Sequence, residues 1–128
     1  MKLNRIHHVA VIASDYERSK RFYAEVLGLT VVAETYREER DSWKLDLAVG
    51  GDYQIELFTF PGAPERPSYP EARGLRHLAF EVDDVDAAAA ELRGKGIEAE
   101  AVRVDPVTGK KFVFFADPDG LPLELYER

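Results

Sequence analysis

Two histidines and two glutamates stand in matching places along this chain. His8 lies in an apolar run from Ile6 to Ile12, and Glu56 sits within Ile55-Glu56-Leu57. His77 precedes Leu78-Ala79-Phe80, and Glu124 sits within Leu123-Glu124-Leu125. His8 is 48 residues before Glu56, and His77 is 47 residues before Glu124. Two imidazoles and two carboxylates are a donor set suited to a borderline divalent ion: Zn, Ni, Co, Mn or Fe. Four protein ligands on a six-coordinate ion leave two positions for water or for two substrate oxygens. Such an open pair can chelate an ene-diolate and stabilise the charge of a proton-abstraction transition state. A lone strand Glu is usually solvated, and a lone strand His is usually a hydrogen-bonded structural group. Here both acids lie between aliphatic residues, where an unpaired buried carboxylate is costly and a bound cation removes the cost.

The elements that must position these groups occur twice. Ile6 to Ile12 reads as a strand. Ser14 and Glu17 have capping-box spacing, and a helix follows to about Leu27. Its Ser19, Phe22, Tyr23, Val26 and Leu27 share one face, and Gly28 stops it. Extended stretches follow at 29–38, 43–49 and 53–60. Residues 61–70 hold four prolines, which neither pair in a sheet nor continue a helix. Beyond them the pattern restarts: a strand from Leu75 to Val82, an Asp84 N-cap, and an Ala-rich helix from Val85 to Arg93. Gly94 and Gly96 end that helix, and strands are predicted at 97–104, 112–116 and 121–127. His8-Val9-Ala10-Val11 precedes His77-Leu78-Ala79-Phe80 by 69 residues, and Ile55-Glu56-Leu57 precedes Leu123-Glu124-Leu125 by 68. The chain is an internal duplication of a βαβββ unit.

Strand alternation gives the direction of each donor. His8 shares a face with Ala10 and Ile12, Glu56 with Gln54 and Phe58, His77 with Ala79, and Glu124 with Pro122 and Tyr126. The opposite rows are aliphatic or aromatic, where the helices pack, so the four donors line the other face. His7 is a competing ligand, but its counterpart in the repeat is Arg76, which favours His8. Arg37, Arg40, Trp43, Arg103, Lys110 and Lys111 offer cations and one aromatic wall near strand ends. Of these, Arg37, Trp43, Arg103 and Lys111 are the substrate-facing candidates, with Arg103 and Lys111 suited to a substrate carboxylate or phosphate. A solvated salt-bridge surface is the competing reading for each. Asp117-Pro118-Asp119-Gly120 lacks the further oxygens of a calcium loop and reads as a tight turn.

Composition narrows the function classes. The 128 residues carry 17 Lys plus Arg against 24 Asp plus Glu, a net charge of −7. That balance opposes phosphate backbones, so no nucleic-acid partner is expected. The absence of Cys removes thiolate metal sites, disulfides and a Cys nucleophile. No apolar run is long enough to span a membrane and no signal peptide is visible, so a cytoplasmic location is expected.

Several segments together resemble the vicinal-oxygen-chelate superfamily, the glyoxalase/bleomycin-resistance/dioxygenase group. They are His8-Val9-Ala10-Val11, Asp15 with Phe22-Tyr23 and Val26-Leu27-Gly28-Leu29, and Ile55-Glu56-Leu57-Phe58. They continue with Arg76 to Asp84, then Asp117 to Gly120 followed by Leu123 to Tyr126. The resemblance implies a single α+β domain over 1–128. In it, two βαβββ modules (5–60 and 74–128, joined by the linker 61–73) form an eight-stranded, cup-like mixed sheet with helices outside. It implies a glyoxalase I-like lyase or isomerase with one divalent metal held by His8, Glu56, His77 and Glu124. The substrate would be an α-carbonyl compound or a glutathione hemithioacetal, reacting through a metal-chelated ene-diolate. Glu124 would be the leading base and Glu56 its symmetric partner. Arg37 to Lys44 resembles a small bacterial glyoxalase-like subgroup. The resemblance also implies a homodimer, its cup closed within one chain or across two. Two other readings stay open: a non-haem iron dioxygenase using His8, His77 and Glu124, and a non-enzymatic small-molecule binding protein of the antibiotic-binding kind.

Overall fold

The computed structural model describes all residues, 1–128, as two compact units, Met1–Pro64 and Glu65–Arg128. In the first unit the order is β1 (Val9–Ala13), α1 (Tyr16–Arg21) continuing into a wider π turn (Phe22–Val26), β2 (Thr30–Arg37), β3 (Ser42–Val49) and β4 (Asp52–Thr59). In the second it is β5 (Leu78–Val82), α2 (Val85–Gly94), β6 (Arg103–Val104), β7 (Lys111–Ala116) and β8 (Pro122–Glu127). The eight strands form two four-stranded mixed sheets with the same plan, β1-β4-β3-β2 and β5-β8-β7-β6. In each, the first strand runs parallel to the last and the other pairs are antiparallel. The α+β class and the repeated βαβββ unit are therefore present. No helix is long and apolar enough to cross a membrane.

The cores follow the alternation of the strands. Val11, Ala13, Leu45, Leu47, Ile55 and Leu57 are buried with Phe22 and Tyr23 in the first unit. Val113, Phe115, Leu121, Leu123 and Leu125 are buried with Val85, Ala89 and Leu92 in the second. Keeping Leu45 and Leu47 on the same face as Ile55 and Leu57 requires one extra residue in β4. The pairing accordingly jumps from Ala48↔Tyr53 to Leu47↔Ile55, leaving Gln54 as a bulge.

The local signals differ from expectation in three places. Asp15, not Ser14, caps α1: its side chain accepts from the Arg18 backbone N–H at 3.0 Å. Asp15, directly ahead of the first helical residue, reaches the N3 position, while Ser14 lies one residue too early and accepts from the Arg18 guanidinium. Second, β1 and β5 begin at Val9 and Leu78, so both histidines stand just ahead of their strands. The guanidinium of Arg66, from the Pro-rich stretch, donates to the carbonyls of Leu75 and Arg76 and holds the chain that leads into His77. Third, only Arg103–Val104 of the predicted strand 97–104 is regular. The carbonyl of Glu100 is instead taken by Arg93 at 2.6 Å, and Ala99 makes a single bridge to Phe115.

Asp84 caps α2 by accepting from the Ala87 N–H at 2.9 Å. Replacing Asp15 or Asp84 by Ala is expected to cost about 1 kcal/mol each, and Ser14→Ala only a few tenths. Urea unfolding midpoints of the three variants check this ranking.

Candidate functional site

Parallel pairing sets the geometry of the His–Glu pair in each unit. Ala10 lies opposite Glu56 and Ala79 opposite Glu124. His8 and His77 are each two residues before that alanine, on the same face of the chain, and so arrive beside the acid. His8 Nε2 lies 3.3 Å from Glu56 Oε2, and His77 Nε2 lies 3.0 Å from Glu124 Oε2. Two ligands about 2.0–2.2 Å from one ion are separated by roughly 2.8–3.6 Å at octahedral or tetrahedral angles. Both His–Glu separations fall in that span, so the donors fit a divalent cation. Within either unit no third His, Asp or Glu joins the pair as a set able to hold an ion. It is His8 and not His7 that pairs with Glu56: His7 Nδ1 contacts His8 Nδ1 at 2.9 Å and its ring stands edge-on to Tyr53.

The two pairs have unlike surroundings. Beside Glu56, β3 places Lys44 and Asp46, and Tyr53 completes a network. The Tyr53 hydroxyl lies within hydrogen-bond reach of Glu56 and, at 2.9 Å, of Asp46, with one proton to share between them. Lys44 Nζ lies 2.7 Å from Asp46 and 3.3 Å from Glu56. Burial opposes ionisation of Glu56, but the hydrogen bonds from Tyr53 and Lys44, with the charges of Lys44 and His8, outweigh it. Its carboxyl is held below the usual range. Tyr53 is pushed well above the ordinary phenol value, first by burial and then by Glu56 and Asp46, so it stays a donor. In the second unit the places of Lys44 and Asp46 are taken by Phe112 and Phe114. Glu124 is 8% exposed, its one polar partner is His77, and the His77 ring meets Phe114 edge-to-face at 5.0 Å.

Of the four substrate-facing candidates, two share a face with the donors. Arg37 stacks on Phe58, which follows Glu56 on its own face, with its guanidinium carbon 4.9 Å from the ring centre. Arg103 stacks on Phe112 and Phe114 at 4.9 and 5.7 Å. Trp43 lies on the opposite face, stacked on Tyr16 of α1 at 4.7 Å. Lys111 also faces a helix, paired with Asp86 of α2 at 2.5 Å. Sequence reading passed over Tyr53, Lys44, Asp46, Arg66, Arg76 and Phe114. The parity of β3 and β4 could have placed Lys44 and Asp46 beside Glu56, provided the bulge at Gln54 was inferred from the aliphatic rows.

Stability drawn from Glu56 is in place above its unfolded value of about 4.3 and is lost as pH falls through the depressed folded value. In Tyr53→Phe the folded value moves back toward the unfolded one. The EDTA-treated variant is therefore expected to lose less stability on acidification below about pH 5 than wild type. Urea unfolding at a series of pH values measures this, and equal acid losses would contradict the network.

Residues 5–125 match the Glyoxalase/Bleomycin resistance protein/Dioxygenase superfamily. The chain is 63% identical over 126 residues to the uncharacterized protein YaeR of Escherichia coli K12, covering 98% of each. It is 62% identical to the uncharacterized protein YwkD of Bacillus subtilis 168 over the full length of both. A glyoxalase family protein from Enterococcus faecalis superposes with a TM-score of 0.91 at 53% identity, covering 99% of this chain and 100% of that one. More distant are a 2-epi-5-epi-valiolone epimerase of Actinomyces sp and the trypanothione-dependent glyoxalase I of Leishmania major. The epimerase is 32% identical over 94% of this chain and 77% of its own. The glyoxalase I has TM-score 0.74 at 26% identity, over 98% and 87% of the two chains. With nearly its whole length matched, the chain belongs to the Glyoxalase/Bleomycin resistance protein/Dioxygenase superfamily.

Proposed function

We propose that the protein is a metal-dependent lyase or isomerase of glyoxalase I type, moving a proton between adjacent carbons of an α-carbonyl or hemithioacetal substrate. The observation that carries the reading is the duplicated His–Glu pair, with His8–Glu56 at 3.3 Å and His77–Glu124 at 3.0 Å. One pair supplies too few donors for a protein-bound catalytic ion, which takes about three protein ligands. His8, Glu56, His77 and Glu124 together would hold one divalent cation, assembled in a homodimer. When bound, the cation supplies Lewis-acid stabilisation of the negative charge that builds on substrate oxygens.

The chain's own residues divide the remaining work. Glu56 is tied by Tyr53 and Lys44 and serves as a fixed donor. Glu124 has a single polar partner to give up and a wall of phenylalanine beside it, so it takes and returns the substrate proton. Phe114 gives the second pair an apolar side. One relative is named as an epimerase, and the glyoxalase I relative has the same fold. The iron-oxygenase reading needs Glu56 outside the donor set, whereas Glu56 is placed on His8 much as Glu124 is on His77.

Protein reloaded with Ni²⁺, Zn²⁺, Co²⁺ or Mn²⁺ is expected to bind one ion per site by elemental analysis, and His77→Ala to lose it. With methylglyoxal and glutathione, thioester is expected to form. Glu124→Gln should cut kcat by about 10²–10⁴-fold. Unchanged metal content in His77→Ala would remove the ligand set. Absence of thioester from metal-loaded wild type would remove the substrate assignment.

A further inference from the structure

The second unit contains a cavity of about 570 Å³ that opens onto His77 and is lined by Arg76, Arg103, Phe114, Tyr69 and Ala99 among others. That volume is in the range of small-molecule sites. Its two arginines are incompletely used. Arg76 Nη1 is buried with no hydrogen-bond partner. Its Nη2 lies 3.7 Å from Glu71, well beyond a charge-assisted hydrogen bond of about 2.7–2.9 Å. The plane of the side chain is held over the Tyr69 ring at 5.1 Å. An orphaned buried N–H is a standing cost, and an acceptor in the cavity meets it only if the Arg76 side chain shifts. Arg103 is fixed by stacking on Phe112 and Phe114, and its one ionic partner, Glu100 at 3.2 Å, is more than half exposed and so binds it weakly.

We infer that Arg76 and Arg103 form a carboxylate-binding subsite beside His77, so that the substrate of this site is an organic acid with an apolar or aromatic body. The inference deepens the proposed function and rests on it for the role of His77, but binding of the acid itself needs no metal. Glu98 and Glu100 also line the cavity. Their charge offsets that of the arginines, so attraction at long range is small and the grip must come from short contacts. A guanidinium edge meets a planar carboxylate through two parallel N–H···O bonds. The faces of Phe114 and Tyr69 then suit the apolar remainder. A dianionic phosphate gains the same hydrogen bonds but stands against both glutamates and offers nothing to the aromatic walls.

The experiment titrates benzoate, benzamide and inorganic phosphate into the EDTA-treated protein, followed by ¹H–¹⁵N chemical shifts. Benzoate is expected to saturate, with shifts at Arg76, His77, Arg103 and Phe114, and benzamide to bind at least about tenfold more weakly. Arg76→Gln and Arg103→Gln should each weaken benzoate about tenfold, with Arg103→Lys recovering part of the loss. Equal binding of benzamide and benzoate, shifts confined elsewhere, or Gln variants that match wild type would overturn the subsite. Tighter binding of phosphate than benzoate would overturn the organic-acid assignment. Should Arg76→Gln fail to fold, the wild-type comparison and Arg103→Gln still decide. Loss of thioester formation alongside intact benzoate binding would count against the proposed function alone.

Discussion

An acid placed between two core aliphatics in a strand is the constraint on which both half-sites depend. Ile55 and Leu57 flank Glu56, and Leu123 and Leu125 flank Glu124; all four aliphatics are buried. Strand parity sends the carboxylate to the other face, and it cannot leave without dragging its neighbours out of the core. The partner must therefore come to the acid. It does so on the parallel strand next door, where the residue two before the paired alanine is a histidine in both units. The His–Glu pair is thus a product of core packing, with its two atoms held at ligand spacing by the strand register.

Around that shared device the halves have diverged. The first unit surrounds its carboxylate with donors, Tyr53 and Lys44, themselves anchored on Asp46. The second surrounds its carboxylate with rings, and the only polar contact is the imidazole. A carboxylate already receiving several hydrogen bonds is suited to stay put, while one with a single partner can exchange it at little cost. The lining has diverged while the His–Glu pair is kept in each unit, so the two acids stand in different surroundings. The aromatic wall also stacks on Arg103 and lies along the cavity beside His77.

The turns and caps serve these pairs. Arg66 holds the carbonyls ahead of His77, where no strand hydrogen bonds are available. Asp117 accepts from the backbone N–H groups of Asp119 and Leu121, both at 2.9 Å, and so closes the turn that delivers β8 and Glu124. Gly120, at φ +81°, supplies the left-handed residue that turn needs. In the first unit the helix ends through a π turn, with Leu27 N–H to Phe22 carbonyl and Leu29 N–H to Tyr23 carbonyl, both 3.0 Å, around Gly28 at φ +76°.

The repeat, the α+β class and the faces of the strands were legible in the amino-acid order. All follow from period-two alternation, fixed offsets and turn residues, which are local properties of a chain. The helix cap fell one residue from its expected place, and the strand predicted over 97–104 shrank to two residues, because competing local hydrogen bonds decide such boundaries. What surrounds each donor belonged to tertiary structure alone. Whether Lys44 and Asp46 or another pair meets Glu56 depends on a single bulge at Gln54. The same holds for Trp43 and Lys111, which turn toward the helices while Arg37 and Arg103 turn toward the donors. Cross-strand register is set by how two distant segments fill one core, and a residue's own neighbours in sequence carry no record of it.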